Sequence, residues 1–109
     1  MEGGKGKLLK IFIGESDRYK GEALYHAIIK KIKEQGLAGA TTLRGIEGFG
    51  AHSKFRSSLI EVLSSDLPII IEVVDQEEKI KELIKVISPM VTKGLIVMMN
   101  DIDIIKYVK

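Results

Sequence analysis

The sequence predicts an α+β domain in which two helices lie on one face of a single sheet. Leu24, Ala27, Ile28 and Ile32, and again Ile80, Leu83, Ile84, Ile87 and Val91, recur at helical spacing. Each helix lies between apolar runs short enough to be strands. The chain has 109 residues and shows no repeat, linker or low-complexity segment, which fits one domain over 1–109. The order of the main elements is β-α-β-β-α-β, with a short strand over 57–63 and a short terminal strand besides. Right-handed crossovers and the split βαβ pattern then give a ferredoxin-like sandwich.

Each element has a local reason. Residues 1–6 are glycine-rich and predicted to be disordered. "KLLKIFI", 7–13, is the first strand, and "GESDRYK", 14–20, a polar loop. The first helix spans 21–35, and Gly36 stops it as a C′ residue. Residues 40–44 start the second strand, which runs into a loop. A short strand follows over 57–63, with Ser64, Ser65 and Asp66 as a turn. "PIIIEVV", 68–74, is a strand, and Asp75 caps the second helix, with Glu78 three residues on as a capping box places it. Thr92, Lys93 and Gly94 turn the chain into "LIVMM", 95–99. Asn100 and Asp101 turn it again into a last strand over 102–108.

The strands are apolar on both sides. Ile69, Ile71 and Val73 point one way, and Pro68, Ile70, Glu72 and Val74 the other. Leu95, Val97 and Met99 likewise oppose Ile96 and Met98. Two helices cover only one face, so the second predicts an association surface between subunits. The alternative is a monomer whose long loop folds over the sheet.

Composition excludes several functions. Without cysteine there are no disulfides or thiolate metal sites, and two histidines, His26 and His52, do not make a His-rich one. No apolar run reaches the ~20 residues of a membrane span, and the start does not read as a secretory signal. A cytoplasmic location is expected. A net charge of +2 and 6% aromatic residues, with no Trp, argue against nucleic acid as partner. His26 shares a helix face with Glu22, Lys30 and Lys33 and reads as solvated. Glu47 and His52 share one loop, which fixes no geometry for acid–base chemistry, so no enzyme is predicted. Asp101 and Asp103 read as turn chemistry, and the methionines as core or interface filler.

The stretch "LRGIEGFGAHSK", 43–54, holds Gly45, Gly48 and Gly50 beside Arg44, His52 and Lys54. Two readings stand. The glycines serve a strand exit with bulges and positive φ, or they expose successive N–H groups to an anion, with the basic residues adding charge. The spacing is not that of a Walker A loop. "GESDRYKG", 14–21, is a second loop at a carboxyl end of the sheet. It is either a turn in which Ser16 or Asp17 bonds nearby backbone, or a place where Arg18, Tyr19 and Lys20 face a ligand or partner.

The segments "KLLKIFIGESDRYKGEALYHAII", "GLAGATTLRGIEGFGAHSKFRSSLIEVLSSDLPIIIEVVD" and "KGLIV" cover nearly the whole chain. They resemble the PII-like family of small conserved bacterial proteins of formerly unknown function, relatives of the nitrogen-regulatory PII signalling proteins. The resemblance implies a ferredoxin-like homotrimer with its sheets around a threefold axis. It also implies an adenine nucleotide bound in clefts between subunits. The phosphates would rest on a turn similar to Gly48, Phe49 and Gly50 at the base of a long flexible loop, with Arg44 and Gly45 just before it. A second turn corresponds to Lys93 and Gly94 in reduced form, and the C-terminal contribution is Lys106 or Lys109. That reduction favours ADP or AMP over a triphosphate. No glutamine follows Gly50 and no loop-tip tyrosine is present, so 2-oxoglutarate sensing and uridylylation are not implied. Arg56 stands where a His is common in the family.

The resulting expectation is a signalling module with no obligatory cofactor. An adenine nucleotide binds at Arg44, Gly45, Gly48, Phe49, Gly50, His52, Lys54, Lys93, Gly94 and Lys106. The loop 45–58 then docks a regulated protein, for which a membrane transporter is one candidate. The rivals are a protein-interaction trimer that needs no ligand and a trimeric metal-binding protein.

Overall fold

The computed structural model describes residues 1–50 and 67–109. The expected strand over 57–63, the turn at 64–66, and His52, Lys54 and Arg56 lie outside the described residues. The elements in chain order are β1 (Gly4–Gly14), β2 (Arg18–Tyr19), β3 (Glu22–Ala23), α1 (Leu24–Glu34), β4 (Thr41–Arg44), β5 (Pro68–Asp75), α2 (Glu77–Ile87) and β6 (Leu95–Ile104). The main sheet has the order β4-β5-β1-β6 and every pairing is antiparallel. With two helices packed on one face, this is the ferredoxin-like sandwich that the element order implies.

Alternation sorts the strands into two faces. Leu9, Ile11 and Ile13 of β1 and Ile69, Ile71 and Val73 of β5 are wholly buried or nearly so. They meet Ile28, Ile32, Ile80, Leu83 and Ile87 from the helices. The register puts Leu8, Phe12, Ile70, Val74, Leu95, Val97, Met99 and Leu43 together on the other face. That face is open: Leu43 is 44% exposed, Leu95 52% and Met99 49%. In its middle Lys10 pairs with Glu72 across the strands at 3.3 Å.

Four local expectations are corrected. Residues 4–6 are not a disordered start: they form the first rungs of β1 against Ile102, Asp103 and Ile104, and Lys5 binds Asp103 at 2.8 Å. Gly6 is buried there, where a Cβ would lie 3.0 Å from the Asp75 carbonyl oxygen. Helix α1 begins at Leu24 rather than at residue 21, because Lys20 (φ 48°) and Gly21 (φ 85°) turn a small hairpin of β2 on β3. Two positive φ values in a two-residue turn match the twist of a hairpin. Asp75 does not cap α2. It closes β5 and is buried, and its carboxylate accepts the N–H groups of Ala38 at 2.9 Å and Gln76 at 2.7 Å. The cap position falls to Gln76, which makes no side-chain cap bond, so Glu78 belongs to no capping box. Finally, Asn100 and Asp101 make no turn. β6 continues past them on the same neighbour, with a bulge opposite Lys7 and Asp101 at φ 57°.

The end of α1 agrees with the expectation. Gly36 sits at φ 78°, its N–H donates to the Lys33 carbonyl at 3.1 Å, and Leu37 N–H donates to the Ile32 carbonyl at 3.4 Å. Those two bonds are the Schellman pattern, which glycine permits at C′.

Candidate functional site

Antiparallel pairing gathers three connections at one end of the sheet. β1 ends there at Gly14, β4 at Arg44, and β5 and β6 begin there at Pro68 and Leu95. Residues 15–17, the turn opened by Gly45, and Thr92, Lys93 and Gly94 therefore share one rim. β4 and β6 are the two outer strands, so the Gly45 and Gly94 ends stand three strand spacings apart, about 14 Å.

The glycines of the first turn are explained chiefly by packing. Gly45 N–H donates to the Pro68 carbonyl at 2.7 Å, which extends the β4–β5 ladder and uses the donor that an anion would need. A Cβ on Gly45 would lie 2.7 Å from Pro68 Cγ, and one on Gly48 3.2 Å from the same atom. Both glycines thus let the turn lie against the Pro68 ring. Positive φ is found at Gly4, Gly21, Gly36 and Gly94, not at Gly45 or Gly48, so the expected left-handed strand exit is absent at those two. Ile46 and Phe49 are each 95% exposed. Gly94, at φ 137°, passes so near β1 that a Cβ would lie 2.5 Å from the Phe12 carbonyl oxygen.

Two cations of the expected set reach this rim, and each meets a carboxylate from the β1–β2 connection. Arg44 donates to Glu15. Lys93 Nζ lies 3.7 Å from Asp17 Oδ1. The connection is tied down by backbone bonds: Glu15 N–H to the Leu67 carbonyl at 2.9 Å, Asp17 N–H to the Gly14 carbonyl at 3.2 Å, and Leu24 N–H to the Asp17 carbonyl at 2.8 Å. Asp17 Oδ2 accepts Gly14 N–H at 2.9 Å, and the side chain is only 6% exposed. Beside Lys93 opens a cleft of about 190 Å³, with Ser16, Asp17, Thr92 and Lys93 on its walls and Leu24 and Met90 at its base. Arg18 lies at its edge and donates to the Gly21 carbonyl at 2.6 Å.

Glu15 and Asp17 are the residues that sequence reasoning missed as neighbours of the two cations. The loop 14–21 stands out in the sequence, but its partners are 29 and 76 positions away in the chain. Lys106 does not join them. β6 pairs with β1 from Leu95 at Phe12 to Ile104 at Gly4, so Lys106 lies past the far end, roughly 30 Å from Lys93. A site that uses both needs two copies of the chain. Among the described residues no three His, Cys, Asp or Glu side chains are grouped to hold a metal ion. Among them, too, no helix is long and apolar enough to cross a membrane.

The Arg44 side chain is 57% exposed and that of Lys93 51%. With their two carboxylates they sum to no net charge.

Residues 6–103 match the model of DUF190, described as Uncharacterized ACR. A UPF0166 protein of Aquifex aeolicus is 38% identical over 101 residues, covering 93% of this chain and 94% of the relative. A UPF0166 protein of Methanocaldococcus jannaschii is 34% identical over 102 residues, covering 94% of each. Among solved structures, CPII from Thiomonas intermedia, bound to ADP, AMP and acetate, superposes with a TM-score of 0.68 at 18% identity, over 97% of this chain and 94% of that one. A putative PII-like signaling protein from Thermus thermophilus gives a TM-score of 0.56 at 18% identity, over 91% of this chain and 87% of that one. At such identities the likeness is one of fold, and the fold is the PII-like one.

Proposed function

The chain belongs to the DUF190 family, and from that premise we propose that it is a PII-like regulator, not an enzyme, that binds ADP or AMP in clefts between the subunits of a cytoplasmic homotrimer. The observation that carries this reading is the placement of Arg44 and Lys93 at the same end of the sheet, beside its two outer strands, each side chain more than half exposed. The CPII structure of the same fold holds ADP and AMP, which supports the choice of ligand. Phosphate contacts fall to Arg44 and Lys93. Lys106 of a neighbouring copy supplies a further cation, since no single chain brings it to the rim. The open apolar face packs the subunits together. Ile46 and Phe49 stand free at the start of the loop 45–58 and suit docking of a regulated protein, a membrane transporter among the candidates.

Calorimetry against ATP, ADP, AMP and cyclic AMP, with mass from light scattering, tests the proposal. One nucleotide bound per subunit of a trimer is the expected result. A trimer that binds none of the four would overturn it. The second reading is a trimer that docks a partner without any ligand. It is favoured by the pairing of Arg44 with Glu15 and of Lys93 with Asp17, which leaves each cation already neutralised.

A further inference from the structure

Glu15 and Asp17 bear on the anion site in different ways. Asp17 is buried, accepts Gly14 N–H at 2.9 Å, and is part of how β1 ends. Its charge is built into the fold. Glu15 reaches outward from a backbone that is held by its own bond to Leu67 at 2.9 Å, and its side chain is 31% exposed. Among the described residues, the partner of that side chain is Arg44. A carboxylate that holds one of the two proposed phosphate donors, on a loop tied down by backbone bonds, must share that donor with any anion that arrives.

We propose that Glu15 is a specificity-determining residue that restricts the Arg44 site to anions of low charge, a nucleoside mono- or diphosphate rather than a triphosphate. This rests on the nucleotide reading above and names how that site chooses its ligand. The physical reason is additive repulsion. Each negative charge on a phosphate chain is opposed by the Glu15 carboxylate a few ångströms away, while the number of donors stays the same. A monophosphate meets that opposition least. Arg44 keeps a planar guanidinium with several N–H groups, so it serves Glu15 and a small anion together. A longer chain must dislodge Glu15 or suffer its charge. Glu15 thereby acts by rejecting the wrong ligand rather than by holding the right one.

The test is Glu15→Gln, which keeps the size of the side chain and its acceptor oxygen but removes the charge. Exposed ion pairs add little to stability, so the variant folds, and a circular dichroism melt checks this. AMP, ADP and ATP are titrated calorimetrically into the wild-type protein and the variant. The wild type binds AMP or ADP more tightly than ATP. In the variant ATP binding tightens about tenfold and AMP binding about threefold, so the preference narrows. Glu15→Asp keeps the charge and retains the wild-type order of affinities. If the wild type binds a nucleotide and Glu15→Gln leaves the ratio of AMP to ATP affinity unchanged, Glu15 is not the selector and the nucleotide reading survives. If neither protein binds any of the three, the nucleotide reading fails and this inference falls with it.

Discussion

Gly94 and the Phe12 carbonyl oxygen approach so closely that a Cβ on Gly94 would lie 2.5 Å from that oxygen. The obstacle is backbone, so nothing can swing aside, and φ at Gly94 is 137°, where L side chains are strained. Gly94→Ala is therefore expected to destabilise the fold by about 2–4 kcal/mol. Urea denaturation measures it. An unchanged midpoint would show that the turn before β6 relaxes freely.

Asp75 joins two parts of the chain that are distant in sequence. Its buried carboxylate takes the N–H of Ala38 and that of Gln76. Asp75→Ala leaves both donors without their acceptor and is expected to cost about 1–3 kcal/mol. Chemical denaturation reads this as well. A loss no larger than that of an exposed Asp103→Ala variant would refute the role.

The open face predicts association. Ile70 lies there, opposite Phe12 and Leu43, and outside the core between sheet and helices. Ile70→Asp should leave the monomer folded yet lower the mass seen by light scattering from three chains to one. A wild-type protein that already runs as a monomer would sink the idea.

Binding should depend on the two rim cations. Arg44→Ala and Lys93→Ala are each expected to weaken ADP or AMP binding at least about tenfold, since each removes a charge-assisted contact. The Arg44–Glu15 pair is partly exposed on both sides, so the melting temperature of Arg44→Ala should move little, whereas Lys93→Ala takes the counter-charge from buried Asp17 and should lower it. Calorimetry and a thermal melt on the same samples separate the two effects.

Stability should fall in acid in part through Glu77. Hydrogen bonds from Lys7 and then Lys81 hold its carboxyl below the ordinary value of 4.5. Protonation is thus harder in the folded state than in the unfolded one. The contribution is complete above pH 4.5 and disappears as pH falls through the lowered folded value. Glu77→Gln should be less stable than wild type at neutral pH, with the gap closing in acid. A gap that stays constant down to about pH 2 would rule out titration of Glu77 as its source.

Local signals proved legible where one residue type and its near neighbours decide the outcome. Gly36 ends α1 because the left-handed position and both Schellman bonds lie within a single turn of chain. Ile69, Ile71 and Val73 face the helices because the pleat alternates, and the apolar residues between them leave a second face to cover. The hairpin of β2 on β3 is hidden in the sequence, since two short polar strands carry no apolar period, although Lys20 and Gly21 hold the turn. Asp75 reads as a cap because a residue before a helix suits that role equally well, and only the return of Ala38 decides otherwise.

Sequence by itself determined the two helices, the four main strands, the two apolar faces, the ferredoxin-like order and the family, because each rests on periodicity, turn chemistry or matched residues. Tertiary structure alone decided the rim. Antiparallel pairing brought Arg44 to Glu15 and Lys93 to Asp17 and carried Lys106 to the opposite end. Such pairings depend on strand order and register across the whole chain, and no local property of a lysine or a glutamate records them.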